Sequence, residues 1–384
     1  MRIRPKSLLS LCLMALMAIL AASCCKHKVT ERDTILLGTS SIGTRALVTG
    51  KLSLIDLSYS NNTGFGVYGY KQVGSSNYPL FDNFVVKPTE NDVETTWYYT
   101  PIRFWDKNPN AFYQFIAYWP KLPDEGDNPG QNDTYVSESG KVLTIHNIPN
   151  WQPTETGTDY LLADPRVGQH VSNTDTPLFG SGKVNFLFSH LLSKVEFRAY
   201  YVGAQSEVAV NQITLKSPVE NNNNVKFVLP SNGAVDATRN FGESGHPTQI
   251  GTPANGTSTN LMSQSVTLPE ETWFNPSIDS VPTHFQTLCS WLTVPCSLWD
   301  SLDLAVNYSI ASSPITGSAS GFTLTTQIKD DNDNVTATYK GQTLPGHSYL
   351  VTLKFTASSG IEIESIQVKD WITGEVSSPY VYNW

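Results

Sequence analysis

Residues 302–310, LDLAVNYSI, alternate large apolar side chains with small or polar ones. Residues 348–355, SYLVTLKF, place Tyr349, Val351, Leu353 and Phe355 on a single parity. Successive side chains of a β-strand point to opposite faces, so a period of two collects one set of residues on a buried face. Both stretches therefore predict strands that contribute one face to a hydrophobic core.

Similar runs rich in β-branched and aromatic residues recur along the chain, as is typical of strands. Stretches rich in Asn, Gly, Ser, Thr and Pro separate them, for example residues 123–132 and 251–259. No segment combines a sustained helical period with capping residues, so we predict an all-β protein built from sandwiches. The further predicted strand runs are residues 65–70, 95–105, 111–119, 142–148, 184–188, 195–201, 322–328 and 335–339.

The parity of the apolar residues changes once near the end of the chain. Ile361 and Ile363 lie on odd positions, whereas Ile366 and Val368 lie on even ones. In a paired strand such a change requires one extra residue, which is the definition of a β-bulge. We predict a bulge near residues 364–365.

The N-terminus has the pattern of a secretory signal. Arg2, Arg4 and Lys6 precede an apolar run from Leu8 to Ala22, which ends in small residues. A lasting transmembrane helix needs about 20 apolar residues to cross a hydrocarbon core of roughly 30 Å, and this run is shorter. We predict that residues 1–23 form a signal peptide that is removed.

The residues Leu20 to Cys24 resemble the lipobox of bacterial lipoproteins, in which the cysteine becomes the acylated first residue of the mature chain. Ala21 stands where Leu is usual in that motif. Several acyl chains on Cys24 would hold the protein on a membrane, since more than one chain is needed for a stable anchor. Two alternatives stay open: simple signal cleavage beside an unmodified thiol, and anchoring through Cys25.

Charge and length limit the classes of protein that fit. Loss of the three leader cations takes the net charge from -9 to -12, and an acidic surface argues against nucleic acid as a partner. The chain is long enough for more than one core, and Pro177, Gly180 and Gly182 mark a break. We predict a flexible linker over residues 24–45, a first sandwich over residues 46–182 and a second over residues 183–384.

Two cysteines remain in the body of the chain, Cys289 and Cys296. In an extended strand, residues seven apart lie over roughly 20 Å from each other, so a disulfide would require a bend between them. An oxidising compartment would permit that bond. Buried free thiols are the favoured interpretation.

Three features could indicate a binding or catalytic site, and each also has a structural interpretation. Residues 97–119 concentrate aromatic side chains that would suit carbohydrate stacking, but alternating aromatics more often fill a sandwich core. Residues 330–334, DDNDN, are similar to a calcium loop, yet Val335 and Gly341 stand where a glycine and a glutamate are needed, which favours a polar hairpin turn. His190 is expected to be a structural residue at a strand end. The histidines form no metal-binding or nucleophile motif, so we expect no cofactor and no metal.

Three groups of residues, spread in order over almost the whole mature chain, resemble the fimbrillin family of Bacteroidetes, the subunits of proteolytically matured pili. The first group is a run of glycine and aromatic residues together with an aromatic strand. The second begins with an acidic and an aromatic residue and continues into a long apolar stretch. The third is a Pro-Gly turn together with the final strand. They are residues 65–70 with Trp97 and residues 112–120; residues 159–163 with residues 184–197; and residues 345–349 with residues 361–363 and 368–371.

The resemblance implies two transthyretin-like β-sandwich domains in tandem and a lipoprotein precursor that is cut after an arginine at the cell surface. The matching position is Arg45, in the sequence Gly43-Thr44-Arg45-Ala46; Arg32 is the competing site, and a linker arginine with no role is the alternative. A strand lost from a sandwich would leave an open edge as a template for a strand from another chain.

A donor strand is expected at the C-terminus, because the large side chains Val376, Tyr380, Tyr382 and Trp384 share one parity. The alternative is that this tail is the last strand of its own domain, in an anchor or tip subunit.

The resemblance thus implies a pilus subunit that is not an enzyme. Its expected partners are other pilus subunits, the outer membrane through the lipid anchor, and host or bacterial surface glycans or proteins. Its expected location is the cell outer membrane, then the fimbrium. A surface lipoprotein that binds glycans without polymerising is the second hypothesis, and an exported hydrolase, which has no motif behind it, is the third.

Overall fold

The structure is a computed structural model, and the all-β fold class predicted from the sequence is confirmed: in the residues that it describes, all regular elements are strands apart from the single-turn 3-10 helices Glu125–Asp127 and Glu270–Thr272. It describes residues 34–39, 64–88, 97–106, 108, 110–130, 133–139, 142–149, 151–163, 166–169, 183–186, 188–203, 207–216, 223–228, 258–262, 264–277, 281–295, 302–322, 324–329, 335–341, 343–356 and 360–370.

The described strands range from two to thirteen residues in length. In chain order they are β1 (Leu36–Thr39), β2 (Phe65–Val73), β3 (Ser76–Pro88), β4 (Trp97–Tyr98), β5 (Phe112–Trp119), β6 (Tyr135–Ser139), β7 (Val142–Ile148), β8 (Gln152–Pro153), β9 (Leu161–Ala163), β10 (Arg166–Gln169), β11 (Lys183–Phe186), β12 (Phe188–His190), β13 (Ser193–Val202), β14 (Val208–Lys216), β15 (Asn223–Val228), β16 (Ser258–Asn260), β17 (Val266–Leu268), β18 (Trp273–Phe274), β19 (Gln286–Thr293), β20 (Leu302–Ile310), β21 (Ser313–Phe322), β22 (Thr325–Lys329), β23 (Val335–Lys340), β24 (His347–Thr356) and β25 (Gly360–Asp370).

The first body is built around a seven-stranded sheet in the order β12-β9-β5-β2-β3-β4, with β10 also paired to β5. One face of this sheet shares a buried cluster with the parallel pair β1 and β11. Two glycines of β2 permit close packing of aromatic rings: a Cβ on Gly66 would lie 2.3 Å from the Tyr118 ring, and one on Gly69 would lie 2.8 Å from the rings of Phe115 and Phe81. The glycine-aromatic alternation of this strand is therefore a packing requirement.

The opposite face of the seven-stranded sheet carries Tyr68, Ile116 and Tyr118. These side chains pack with residues of the three-stranded sheet β15-β7-β6 and with Leu292 and Val294 from the second half of the chain. The Tyr118 hydroxyl, which is buried, donates a hydrogen bond to the side chain of Asn83. This second buried cluster joins the two halves of the molecule through apolar contacts rather than through a solvated linker.

The second body is a two-sheet sandwich. Its first sheet runs β25-β24-β13-β19-β8, with β18 also paired to β13, and its second runs β16-β14-β20-β21, with β17 also paired to β14. The inward side chains of both sheets form one buried cluster, which includes Val306 and Tyr308 of β20 and Val351 and Phe355 of β24. The period-two prediction for β20 and β24 is therefore confirmed.

The predicted β-bulge is also confirmed. Thr352 of β24 pairs with Ser365, whereas the next residue, Leu353, pairs with Ile363. Glu364 is the extra residue between these pairs, and it lets Ile361 and Ile366 both reach the core from opposite parities.

Strand pairing crosses the division that the sequence predicts between residues 182 and 183. β11 pairs with β1 and β12 pairs with β9, so residues 183–190 complete the first body, and the chain enters the second body at Ser193. Conversely, β8 comes from the first half of the chain but pairs with Trp291 and Leu292 of β19 in the second body. The two bodies therefore share strands across this division, and the domain limits and the transthyretin-like detail stay predictions.

Two further segments differ from the sequence predictions. Residues 36–39 form β1 inside the stretch predicted as a flexible linker, because their apolar side chains find a partner strand far along the chain. Residues 95–105 are predicted as one strand run; the described part of that run, residues 97–105, contains the two-residue strand β4 and a bridge at Phe104 rather than one continuous strand. Pro101 lies between them and lacks the N–H that a continuous strand would donate.

Candidate functional site

The strand β1 is the feature of the first body with the clearest bearing on function. It has four residues, and it pairs in parallel with β11, from Leu36 opposite Lys183 to Thr39 opposite Phe186. Ile35 and Leu37 are 0% and 3% exposed, whereas Leu36 between them is 40% exposed. The segment is thus a strand with one side in the core and one side in solvent, although it precedes the rest of the first body by more than twenty residues of chain.

Backbone and side-chain hydrogen bonds fix the start of β1. The amide of Ile35 donates to the carbonyl of Arg103 at 3.0 Å, and the Tyr99 hydroxyl donates to the carbonyl of Ile35 at 2.6 Å. Burial raises the pKa of Tyr99, although the contacts with Arg103 act in the opposite direction. The phenol therefore stays protonated and keeps its donor role at neutral pH.

An aromatic cluster lies beneath β1. The Phe65 ring contacts Trp97, Phe186 and Phe188, with ring centroids 4.9, 5.8 and 5.4 Å apart. These rings belong to the same apolar cluster as Ile35 and Leu37. Edge-to-face aromatic packing of this kind gives the site a preformed shape. Removal of β1 would therefore open an apolar groove over these rings.

The same removal would expose backbone polar groups. Among the described residues, β11 forms a two-stranded sheet with β1 alone. The amides and carbonyls of Lys183–Phe186 that face β1 would lose their partners, and an unpaired strand edge is a template for a strand from another chain. What this site can do is accept a strand.

The sequence-predicted processing and attachment residues lie outside the described residues. These residues are Cys24, Arg32, Arg45, Val376, Tyr380, Tyr382 and Trp384. Sequence reasoning did not single out β1 itself. The available signal was the apolar triplet Ile35-Leu36-Leu37 followed by Gly38, which is too short to be distinguished from a chance cluster.

Most of the aromatic residues in residues 97–119 pack inside the first body. Trp105, Tyr113, Phe115, Tyr118 and Trp119 are buried. Tyr98 and Phe104 are the exceptions, with exposed fractions of 50% and 46%. The packing interpretation of this cluster accounts for its buried members, which offer no face to a carbohydrate.

His190 lies at the end of β12 and is buried. Its Nδ1 atom lies 2.6 Å from Oδ2 of Asp159, which belongs to the loop ahead of β9. This pair connects residues 159–163 with residues 184–197, which together form the second group of residues that resemble the fimbrillin family. It agrees with a structural role for His190, because the partner holds the imidazole inside the fold.

The remaining predicted features are partly described. Residues 330–334 lie outside the described residues, but they join β22 to β23, which pair antiparallel, so the predicted hairpin is confirmed. Cys289 is a free thiol on β19, and burial raises its pKa to about 12, which makes it unreactive at neutral pH. Cys296 lies outside the described residues.

In the part of the chain that the structure describes, no group of three or more His, Cys, Asp or Glu side chains is placed to hold a metal ion. Within the same residues, no helix has the length and apolar character to cross a membrane.

Comparisons with known proteins identify the family. A model of the fimbrillin-like family matches residues 44–371. A fimbrial protein from Bacteroides vulgatus has a similar crystal structure, with a TM-score of 0.55 and 15% identity over 88% of this chain and 99% of that one. The C-terminally truncated tip fimbrial protein Mfa3 from Porphyromonas gingivalis is similar at 10% identity, with a TM-score of 0.35 over 82% of this chain and 96% of that one. Comparison with curated proteins gave no match.

The structural similarity to the Bacteroides vulgatus protein agrees with the all-β fold described above. The family model spans both bodies, from the residues just ahead of Arg45 to the residue after β25. The resemblance seen in the sequence is therefore confirmed, and this chain belongs to the fimbrillin-like family.

Proposed function

We propose that this protein is a subunit of a cell-surface pilus that is matured by removal of its N-terminal segment and assembled by β-strand addition. Membership of the fimbrillin-like family supports the pilus role. The observation that carries the mechanism is the burial of Ile35 and Leu37, which precede Arg45 in the chain and yet pack in the core of the first body. The protein acts through its backbone edges, so it needs neither a catalytic residue nor a cofactor.

The energetics favour replacement of β1 once it is lost. Full burial of an aliphatic side chain contributes about 1.5–3 kcal/mol, so an empty groove at the positions of Ile35 and Leu37 is unfavourable in water. A strand from another subunit with apolar residues at alternate positions would refill the groove and pair with Lys183–Phe186. Before cleavage the protein's own strand blocks that association.

The position of β1 distinguishes the two candidate cleavage sites. Cleavage after Arg45 would sever residues 36–39 from the body, whereas cleavage after Arg32 would leave them attached. Only the cut at Arg45 would therefore open the groove. We assign maturation to Arg45 for this reason.

The donor strand and the location of the protein complete the proposal. Residues 371–384 follow the edge strand β25 and carry Val376, Tyr380, Tyr382 and Trp384 on one parity, which suits insertion into a groove of another subunit. We propose acylation of Cys24 and attachment to the outer membrane before cleavage, then incorporation into the fimbrium. Adhesion to host or bacterial surfaces would be a property of the assembled fibre.

Cleavage of the purified chain of residues 24–384 by an arginine-specific protease tests the proposal. We expect a new N-terminus at Ala46 by mass spectrometry and a shift from monomer to higher assemblies by size exclusion and electron microscopy. A synthetic peptide of residues 33–40 should slow assembly, because it occupies the groove.

Two variants control this experiment. Arg45→Ala should remain monomeric under protease, and Arg32→Ala should behave like the unmodified chain. Assembly by Arg45→Ala, or a correctly cut protein that stays monomeric, would refute the strand-addition mechanism.

A further inference from the structure

An exposed apolar surface lies beside the solvent side of β1. We name it the β1 patch, and it consists of Leu36, Tyr98, Ile102 and Phe104. Their exposed fractions are 40, 50, 57 and 46%. A group of large apolar side chains in one place is unusual on a protein surface and indicates a contact with a partner or a membrane.

Backbone pairing places Leu36 and Phe104 on one face, and chain proximity brings Ile102 and Tyr98 beside them. Thr34 forms an antiparallel bridge with Phe104, and the amide of Ile35 bonds to the carbonyl of Arg103. Directly opposite residues project to the same side of a sheet, so Phe104 shares the side of Thr34, which is also the side of Leu36. Ile102 precedes Phe104 by two residues, and β4, which carries Tyr98, contacts β1.

Lysines flank this surface. Leu36 is paired with Lys183 across β1 and β11, and Tyr98 is paired with Lys87 across β4 and β3. Each lysine therefore projects from the same face as its apolar partner. Lys183 is exposed, and Lys87 is half-buried. An apolar centre with cations at its rim is found here on a protein whose net charge is -9.

We propose that the β1 patch contacts the lipid surface to which the chain is tethered, an inference that rests on the proposed acylation of Cys24. Thr34 is the tenth residue after Cys24, and an extended chain of ten residue steps spans at most about 35 Å. The patch thus stays within that distance of the bilayer. Aromatic and aliphatic side chains enter the interfacial region of a membrane, and lysines are attracted to anionic head groups.

The contact would belong to the uncleaved form. Cleavage after Arg45 removes Leu36 from the patch and severs the tether in the same step. Maturation would therefore release the subunit from the membrane surface as well as open its groove.

Flotation of the unacylated chain of residues 24–384 with vesicles tests the proposal. Vesicles of phosphatidylcholine with about three-tenths phosphatidylglycerol should carry the protein. The double variant Ile102→Glu/Phe104→Glu should bind about tenfold less, since it loses the burial of two side chains that are half exposed. Val281→Glu alters a residue that is 63% exposed elsewhere on the protein and should bind like the unmodified chain. Lys87→Glu/Lys183→Glu should reduce binding to the anionic vesicles and leave the weaker binding to pure phosphatidylcholine unchanged.

The protein used in this test has no acyl chain, so its result does not depend on acylation. Acylation is measured separately, by incorporation of labelled palmitate into the full precursor and its loss in Cys24→Ala. Equal flotation of the unmodified chain and Ile102→Glu/Phe104→Glu, or no flotation of either, would overturn the membrane contact. Dimerisation that Phe104→Glu abolishes in sedimentation velocity would assign the patch to a second copy of the chain instead.

Discussion

The imidazole of His190 and the carboxylate of Asp159 form a buried pair, with 2.6 Å between Nδ1 and Oδ2. The pair lies where the first body ends, three residues before β13 begins the second. Leu191 donates its amide to the carbonyl of Tyr160 at 2.8 Å, next to this pair. The side-chain pair and the backbone hydrogen bond together fix the position of the segment that connects the first body to the second.

We predict that His190→Ala destabilises the protein. Loss of the imidazole leaves the Asp159 carboxylate in a buried position without this partner, which costs about 2–3 kcal/mol. The free energy of unfolding in urea measures the effect. His284→Ala is the control, because this histidine is exposed, and it should change the stability by less than about 0.5 kcal/mol. Equal effects of the two substitutions would contradict a structural role for the pair.

Adjacent leucines of β1 should respond differently to truncation. Leu37→Ala removes a buried side chain and should lower the free energy of unfolding of the uncleaved chain by about 2–5 kcal/mol. Leu36→Ala alters a side chain on the solvent face and should lie within about 0.5 kcal/mol of the unmodified protein. Urea denaturation of residues 24–384 measures both. If Leu37→Ala were neutral, β1 would not be part of the folded precursor.

The bulge at Glu364 predicts which residue of β25 can be deleted. Deletion of Glu364 would leave Ile361, Ile363, Ile366 and Val368 on one parity, so the strand could pair without a bulge. The expected loss is about 1 kcal/mol, from the hydrogen bond that Tyr200 donates to the Glu364 carboxylate.

Deletion of Gln367 is the matched control for this prediction. It removes one residue from the same strand but moves Val368 from the core to solvent, which should lower stability by about 1.5–3 kcal/mol. Thermal unfolding of the two deletion variants ranks them. The bulge would have another role if deletion of Glu364 were the more harmful change.

The acidic residues near β3 predict a dependence of stability on pH. Burial, followed by the charges of Asp124 and Glu138, raises the pKa of Asp82 above its ordinary value of 3.8. A raised pKa means that protonated Asp82 favours the folded state. This stabilisation is fully present below the pKa of Asp82 in the unfolded chain and is lost as the pH rises through its pKa in the folded protein. Asp82→Asn should therefore stabilise the protein at pH 7. Since the side chain is exposed, the gain should be less than about 1 kcal/mol, and it should vanish near pH 3.

Asp106 provides the opposite case. The hydrogen bond from Lys71, at 2.7 Å, lowers the pKa of this carboxyl below its ordinary value of 3.8. The ionised carboxylate therefore stabilises the folded protein above pH 3.8, and this stabilisation is lost as the pH falls through the pKa of Asp106 in the folded protein. Asp106→Asn should destabilise the protein at pH 7, with a smaller effect in acid. Parallel urea titrations at several pH values distinguish the two residues, and effects of the same sign at pH 7 would contradict the assignment.

Local patterns predicted much of the fold. Alternation in residues 302–310 identified β20 with its boundaries, and the change of parity after Ile363 located the bulge, because both depend on neighbours along the chain. β1 escaped prediction because its partner β11 lies far away in sequence and is parallel, and the short run at residues 36–39 carries no periodic signal. The candidate site therefore required the tertiary structure, whereas the family could be identified from the sequence.

The pairing of β8 with β19 and of β11 and β12 with β1 and β9 means that each half of the polypeptide supplies strands to the other half's sheets. A nick within residues 170–182 would consequently leave two fragments that remain associated. When residues 24–176 and residues 177–384 are co-expressed as separate chains, we expect them to co-purify as one complex. Either chain alone would lack strands that its own core requires.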